Sequence, residues 1–152
     1  MNCDRFFKIG STHEVCEDYA ICDMDLIIAS ISDGCSGSPS SDFGSRFLSH
    51  ISLSVAKETE KIKNINGSQI ILSARIASKS IGISTESMDA TLMCMARKEG
   101  GIELASFGDG VIVIKMKEGG SFVINIEYTD SYPFYLNYLF KDKEVYSYWK
   151  AN

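Results

Sequence analysis

Acidic side chains lie beside predicted strands in three separate stretches of the chain. Asp33 follows the apolar stretch "DLIIASIS" and precedes Gly34, Glu17 and Asp18 precede another predicted strand, and Asp109 lies in a Gly-Asp-Gly turn. Hard divalent cations such as Mg²⁺ and Mn²⁺ prefer oxygen ligands of this kind. Taken alone, each aspartate is more often a simple turn residue, so metal chemistry requires a fold that gathers them.

The first two predicted strands can gather two of these carboxylates. The strands cover residues 19–22 and 26–32 and are joined by the short turn "DMD". A short turn favours antiparallel pairing, which places the residue before the first strand beside the residue after the second. Asp18 and Asp33 are therefore expected at the same end of the hairpin. Gly34 has no Cβ, so its backbone can approach an ion closely.

Two helices are predicted after this hairpin. The first is expected to begin near Pro39, because proline suits the first helical turn, and its apolar residues recur every four positions from 43 to 55. Ser68 is the expected N-cap of the second helix. Its apolar face covers residues 70–81, and Gly82 is expected to end it.

The pattern then changes to short strands, at residues 90–96, 103–107, 111–116 and 121–126. The segments "EGG", "GDG" and "EGG" separate them and are typical of hairpin turns, which predicts one continuous antiparallel meander. Strands, helices and then a meander indicate an α+β fold in a single domain over residues 1–152. The rest of the chain is rich in Tyr and Phe and shows no clear period.

Four stretches together resemble the metal-dependent protein phosphatases of the PP2C type, the PPM family. They are "GSTHEVCEDYA" (10–20), "IASISDGCSG" (28–37), "DATLMCMA" (89–96) and "ASFGDGVIVI" (105–114). Their order and spacing are similar to the family's pattern of an acidic residue before Asp, a strand ending in Asp-Gly, a Thr-containing strand and a Gly-Asp turn. The resemblance implies an α-β-β-α sandwich of antiparallel sheets with flanking helices.

The resemblance also implies a metal site. Asp33 would bridge two Mn²⁺ or Mg²⁺ ions, Gly34 would offer its carbonyl oxygen, and Glu17 and Asp18 would complete the shell, partly through water. Asp109 matches a position that contributes to a third ion in some members. The implied reaction is hydrolysis of phosphoserine or phosphothreonine in a phosphoprotein substrate, through a water that bridges the metals.

Three further residues are assigned through the same resemblance. His13 lies four residues before Glu17, where many members carry a phosphate-binding Arg, and it is our second catalytic candidate beside Asp33. A neutral His is a weaker anion ligand than Arg, and the alternative is a loop histidine. Cys35 is interpreted as an inert thiol. Thr91 is expected to pack or to hydrogen-bond inside the sheet.

The family pattern is incomplete after Asp109. Members supply two more metal-binding aspartates there, whereas Asp130 and Asp142 follow no apolar strand and precede no Gly. We therefore expect either a fragment or a shortened relative with an incomplete site. A non-catalytic module that binds a partner or a phosphorylated segment is the alternative function. A third hypothesis takes Asp23 of "DMD" as the nucleophile of a phosphatase of the haloacid dehalogenase type.

Composition limits the other possibilities. The formal net charge is -5, which argues against a nucleic-acid surface because phosphate binding needs clustered Lys and Arg. Five cysteines without a C-x-x-C pair favour reduced thiols. The longest apolar stretch is far shorter than the roughly 20 residues that span a bilayer. We expect a cytoplasmic protein that binds neither nucleic acid nor membrane and that self-associates through uncovered sheet edges.

Overall fold

The computed structural model describes residues 4–59, 62–128 and 133–141. Each predicted strand and helix has a counterpart in it, with shifted ends. The strands are β1 (Tyr19–Asp23), β2 (Ile28–Ser32), β3 (Leu92–Lys98), β4 (Gly101–Phe107), β5 (Gly110–Lys115) and β6 (Ser121–Ile126). The helices are α1 (Ser41–Glu58) and α2 (Gly67–Ser80), with short 3₁₀ helices at Ile62–Asn64, Thr85–Met88 and Leu136–Phe140.

The first sheet is antiparallel and has the order β1-β2-β3-β4. In the β1–β2 hairpin Tyr19 lies opposite Ser32, so Asp18 and Asp33 follow on at the same end. The predicted hairpin is therefore confirmed. β3 returns after the two helices and pairs with β2, with Ile28 opposite Ala96. This places a third strand against β2, the strand that Asp33 follows.

The predicted continuous meander is wrong at one turn. β3 pairs with β4 and β5 pairs with β6, but β5 and β6 form a separate two-stranded sheet. The Gly-Asp-Gly segment connects the two sheets instead of forming a hairpin. Gly108 has a φ of 95° and lies against the carbonyl oxygen of Pro133, a left-handed conformation that glycine adopts readily. The chain therefore leaves the first sheet at Asp109.

α1 packs on one face of the first sheet, against β1, β2 and β3, and α2 packs against α1. On the other face, Val111 and Val113 of β5 border a cleft with Ile31 and Met93. The described residues thus form a helix layer and two sheet layers. This is an α+β arrangement consistent with the expected sandwich.

The buried face of α1 differs from the predicted one. Phe43 is 44% exposed, and Phe47, Ile51 and Val55 are only half-buried. Small residues occupy the buried positions instead, together with Leu48, Leu53 and Ala56. They let the helix approach its neighbours closely: a Cβ on Gly44 would lie 1.7 Å from the Ser87 carbonyl oxygen.

The ends of α2 give one correction and one confirmation. The N-cap is Asn66, whose side-chain oxygen accepts a hydrogen bond from the Gln69 backbone N–H at 3.2 Å, so the helix begins before Ser68. Gly82, with a φ of 75°, ends the helix as predicted. Ile81 is exposed, because it lies after the last helical residue.

None of the helices in the described ranges is both long and apolar enough to cross a membrane.

Candidate functional site

Asp18 and Asp33 form the centre of the candidate site. Asp18 directly precedes β1 and Asp33 directly follows β2. Their carboxyl groups lie close enough for Asp18 to raise the pKa of Asp33. The antiparallel pairing of β1 with β2 therefore brings these two predicted residues close together.

The pKa of Asp33 is raised from 3.8 to about 6. The largest cause is the surrounding protein, which keeps water from part of the carboxyl group. The neighbouring Asp18 carboxyl group follows, and then the charges of Asp109 and Glu17. The site therefore concentrates negative charge.

The backbone of Asp33 is fixed by Thr91, which lies just before β3. The Asp33 N–H donates to the Thr91 side-chain oxygen at 3.0 Å, and the Thr91 N–H donates to the Asp33 carbonyl at 2.9 Å. The Ser32 hydroxyl donates to the Thr91 carbonyl oxygen. Thr91 thus hydrogen-bonds at the sheet, as predicted, and it holds Asp33 at a defined position.

Gly34 lies where a side chain would not fit. A Cβ there would lie 2.8 Å from the Ser41 carbonyl oxygen and 3.0 Å from that of Glu17. The Gly34 N–H donates to the Glu17 carbonyl at 3.2 Å. Glycine therefore lets three backbone segments meet directly behind Asp33.

Glu17 lies close to the aspartates but is already engaged. One carboxylate oxygen accepts from the Ser41 hydroxyl at 2.6 Å, and the other lies 2.7 Å from the Nδ1 atom of His13. The His13 side chain, which is 41% exposed, thus contacts a carboxylate in this structure. It still borders the same cleft as Asp33.

Asp109 joins the group from the connection between the two sheets. It is exposed, and its charge acts on Asp33, Tyr128 and Tyr135. The structure thus brings all six predicted site residues to one end of the first sheet. Asp142 and Asp130 lie outside the described residues.

Two clefts meet at the Asp18–Asp33 pair. The polar cleft, about 430 Å³, is also bordered by Lys8, His13, Ser36 and Tyr135. The apolar cleft, about 290 Å³, is also bordered by Phe6, Phe7, Ile31, Met93 and Val111. A larger cleft of about 1210 Å³ lies at the other end of the sheet and includes none of the six predicted residues.

The donor chemistry of the site suits a hard divalent cation. Carboxylate oxygens converge, their mutual repulsion raises the pKa of Asp33, and a cation would relieve that repulsion. The arrangement of the side chains, however, is not a complete metal site. In the part of the chain that the structure describes, no three His, Cys, Asp or Glu side chains are arranged to hold an ion. The arrangement thus supplies one carboxyl pair, with Asp109 and Glu17 near it.

Tyr135 is a site residue that sequence reasoning missed. It belongs to the aromatic segment for which no element was predicted, and it borders the polar cleft beside Cys35. The sequence signal for Tyr135 is weak, because a single Tyr before "LNYLF" forms no motif with other residues that would indicate a cleft. Only the tertiary fold brings it to Asp33.

A family model described as protein phosphatase 2C matches residues 11–142. The chain therefore belongs to the protein phosphatase 2C family, which supports a phosphatase-type function and, in general, a phosphoprotein substrate. No curated protein and no solved structure matches the chain.

Family membership overturns the hypothesis of a phosphatase of the haloacid dehalogenase type. Asp23, the nucleophile in that hypothesis, has a local structural role instead. Its carboxylate accepts from the backbone N–H groups of Asp25 and Leu26 and pairs with Lys57 at 2.7 Å. The hydrogen bond from Lys57 is the main cause that lowers the pKa of Asp23.

Proposed function

We propose that the chain is a metal-dependent phosphatase that hydrolyses phosphoserine or phosphothreonine esters in proteins. The observation that carries the proposal is the closeness of Asp18 to Asp33, with Asp109 and Glu17 adding negative charge, at the junction of two clefts. Mn²⁺ or Mg²⁺ is the proposed cofactor, as two ions at Asp33 with a further one near Asp109. When bound, such ions lower the pKa of a shared water and neutralise phosphoryl oxygens.

The residues of the chain have distinct roles in this proposal. Asp33 and Asp18 would hold the cations, and Thr91 keeps Asp33 in place through paired backbone and side-chain hydrogen bonds. The close packing at Gly34 brings its backbone to the same end of the sheet. His13 and Lys8 border the polar cleft, and Lys8 brings positive charge to the side where the phosphate group would enter.

The test is divalent-dependent hydrolysis of para-nitrophenyl phosphate and of a phosphothreonine peptide by the full chain. We expect turnover that requires Mn²⁺ or Mg²⁺ and that Asp33→Asn abolishes. Asp25→Asn is the matched control, because Asp25 is an exposed aspartate in the turn at the far end of the same hairpin. Turnover by Asp33→Asn equal to that of the parent would refute the proposed role of Asp33.

A non-catalytic function is favoured by two specific observations. His13, the proposed phosphate ligand, contacts Glu17, and no group of three acidic, His or Cys side chains among the described residues is arranged to hold an ion. A module of this kind would bind a phosphorylated segment or a partner at the polar cleft and release no phosphate. Binding of the phosphothreonine peptide without hydrolysis at saturating Mn²⁺ would support this second candidate over the first.

We further propose that two copies associate through the β5–β6 sheet. Apolar side chains of this hairpin are exposed, including Val113, Phe122 and Val123 at 60% or more, and two strands alone are marginally stable. β6 carries no charged residue to discourage pairing at its edge. Sedimentation should show dimers or larger species, and Val123→Lys should shift the chain to monomers. A parent protein that sediments as a monomer would contradict this proposal.

A further inference from the structure

A buried polar network ties residues 133–141 to the rest of the domain. The Asn137 side chain, which is 1% exposed, donates to the Asp89 carboxylate at 2.7 Å and to the Thr85 carbonyl at 3.0 Å. Its side-chain oxygen accepts from Arg75 at 2.6 Å. Lys141 pairs with the second Asp89 oxygen at 2.7 Å. Because buried polar groups are costly to leave unpaired, these contacts fix the segment.

Asp89 also holds the loop that follows Gly34. Its carbonyl accepts from the Cys35 N–H at 2.9 Å, and its carboxylate accepts from the Ser38 hydroxyl at 3.2 Å. One buried residue therefore connects the loop after Asp33 with the segment that contains Tyr135. The network fixes the distance between the proposed metal ligand and this tyrosine.

Tyr135 is the side chain of this segment that enters the site. It is half-buried and borders the polar cleft with His13, Asp33 and Cys35. Burial raises the pKa of its phenol well above the ordinary value, and the groups around it, including Cys35 and Asp109, raise it further. The hydroxyl therefore stays protonated, which keeps it a hydrogen-bond donor.

A neutral donor is chemically useful at this position. The cleft already contains several carboxylates, and a phosphate group brings further negative charge. Among the residues that border the polar cleft, Lys8 and His13 are the cationic candidates, and His13 contacts Glu17. A phenol hydroxyl can bind a phosphoryl oxygen without adding negative charge to the site.

We propose that the Tyr135 hydroxyl is a further catalytic residue, which donates a hydrogen bond to the phosphoryl group of the substrate in the polar cleft. This inference rests on the proposed phosphatase function. The occupant of the cleft is a phosphate monoester, and the Tyr135 hydroxyl donates to its phosphoryl oxygen. The segment 133–141 thus completes the substrate side of the site.

The test compares Tyr135→Phe with the parent protein, using inorganic phosphate as the probe. Calorimetry on the full chain in saturating Mg²⁺ measures phosphate affinity, and para-nitrophenyl phosphate kinetics measure kcat and KM. Loss of one hydrogen bond to a charged group should weaken phosphate binding about tenfold or more. The melting temperature should stay within a few degrees, because the ring is retained.

Tyr138→Phe is the matched control. Tyr138 lies on the same segment, with its ring centroid 5.3 Å from that of Tyr135, but it does not border the polar cleft. We expect its phosphate affinity to equal that of the parent. A loss of affinity that is the same in both variants would show a structural effect of the segment and would overturn the inference.

The remaining outcomes separate the inference from the proposed function. If the parent binds phosphate and hydrolyses the ester while Tyr135→Phe matches it in both, the function holds and the inference is wrong. If the parent in Mg²⁺ or Mn²⁺ neither binds phosphate nor hydrolyses the ester, both are wrong. If the parent binds phosphate without turnover and Tyr135→Phe binds it at least tenfold more weakly, the hydroxyl is a phosphate ligand in a non-catalytic module.

Discussion

Replacement of Asp33 by Asn should stabilise the metal-free protein, although it removes the proposed metal ligand. In the folded chain the pKa of Asp33 is raised from 3.8 to about 6, and two units correspond to about 3 kcal/mol at 1.36 kcal/mol per unit. Asp33 is exposed, so solvent screening reduces this energy, and we expect a gain of about 1–2 kcal/mol. In a domain of this size the melting temperature should rise by about 2–8 °C.

The effect has a defined pH window. Below about pH 4, Asp33 is protonated in both the folded and the unfolded chain, and it should make no difference to stability. Between that pH and the raised value of about 6, the unfolded chain loses its proton first. The folded state then binds more protons, so the contribution of Asp33 to stability falls as the pH rises through this window. Above about pH 6, the loss of stability caused by the charged Asp33 stays constant.

Thermal unfolding in EDTA at pH 4 and pH 8 measures this difference. Asp33→Asn should melt above the parent at pH 8 and together with it at pH 4, whereas the exposed control Asp25→Asn should follow the parent at both. Added Mn²⁺ should raise the melting temperature of the parent and leave that of Asp33→Asn unchanged, because a ligand stabilises only the state that binds it. A metal-free Asp33→Asn protein that melts below the parent at pH 8 would refute the reasoning.

Three further predictions concern residues around the site. Gly34→Ala should lower the unfolding free energy by about 1–3 kcal/mol, since overpacking has costs of this size and the added Cβ would lie 2.8 Å from the Ser41 carbonyl oxygen. Cys94 should resist Ellman's reagent in the folded protein at pH 8, because burial raises the pKa of its thiol to about 11. Asn137→Ala should cost about 2 kcal/mol, since it leaves buried partners unpaired, and hydrogen exchange should become faster in residues 133–141.

Each of these predictions has a control and an opposing result. Gly37→Ala is the control for Gly34, because its added Cβ would make only an ordinary contact at 3.8 Å, and equal melting of the two variants would contradict the packing argument. Unfolding in guanidinium should release Cys94 for labelling, which peptide mapping would identify. Labelling of Cys94 in the folded protein would contradict the prediction that its thiol is buried and unreactive. Unchanged exchange in Asn137→Ala would mean that other contacts hold the segment.

Sequence periodicity predicted the elements around the site because local signals decide them. The turn at residues 23–25 and the strands on either side were sufficient to predict the pairing that joins Asp18 to Asp33. Asp109 was predicted from the family resemblance, and its charge does act on Asp33. The roles of His13, Gly34 and the other site residues stay predictions, as do the cytoplasmic location and the single domain over residues 1–152.

The errors arose where long-range packing decides the structure. Half of the buried residues of α1 are serines, and Ser52 hydrogen-bonds with Ser30 of β2 at 2.7 Å. A search for apolar periodicity cannot find such a face, since its signal is small volume rather than hydrophobicity. The turn at Gly108 was misread for a related reason, because Gly-Asp-Gly suits both a hairpin and a connection between sheets.

The Asp33 site combines a rigid support with unfavourable charge. Thr91, just before β3, fixes the Asp33 backbone, and Asp89 fixes the following loop, so the backbone cannot shift to move Asp33 away from Asp18. A rigid group of like charges is costly in the metal-free chain and gains most when a cation enters. If the supports were flexible, Asp33→Asn would change stability little, because the acids would separate into solvent. If Asp33→Asn melts clearly above the parent in EDTA at pH 8 but not at pH 4, the site is therefore both negatively charged and held in place before a metal binds.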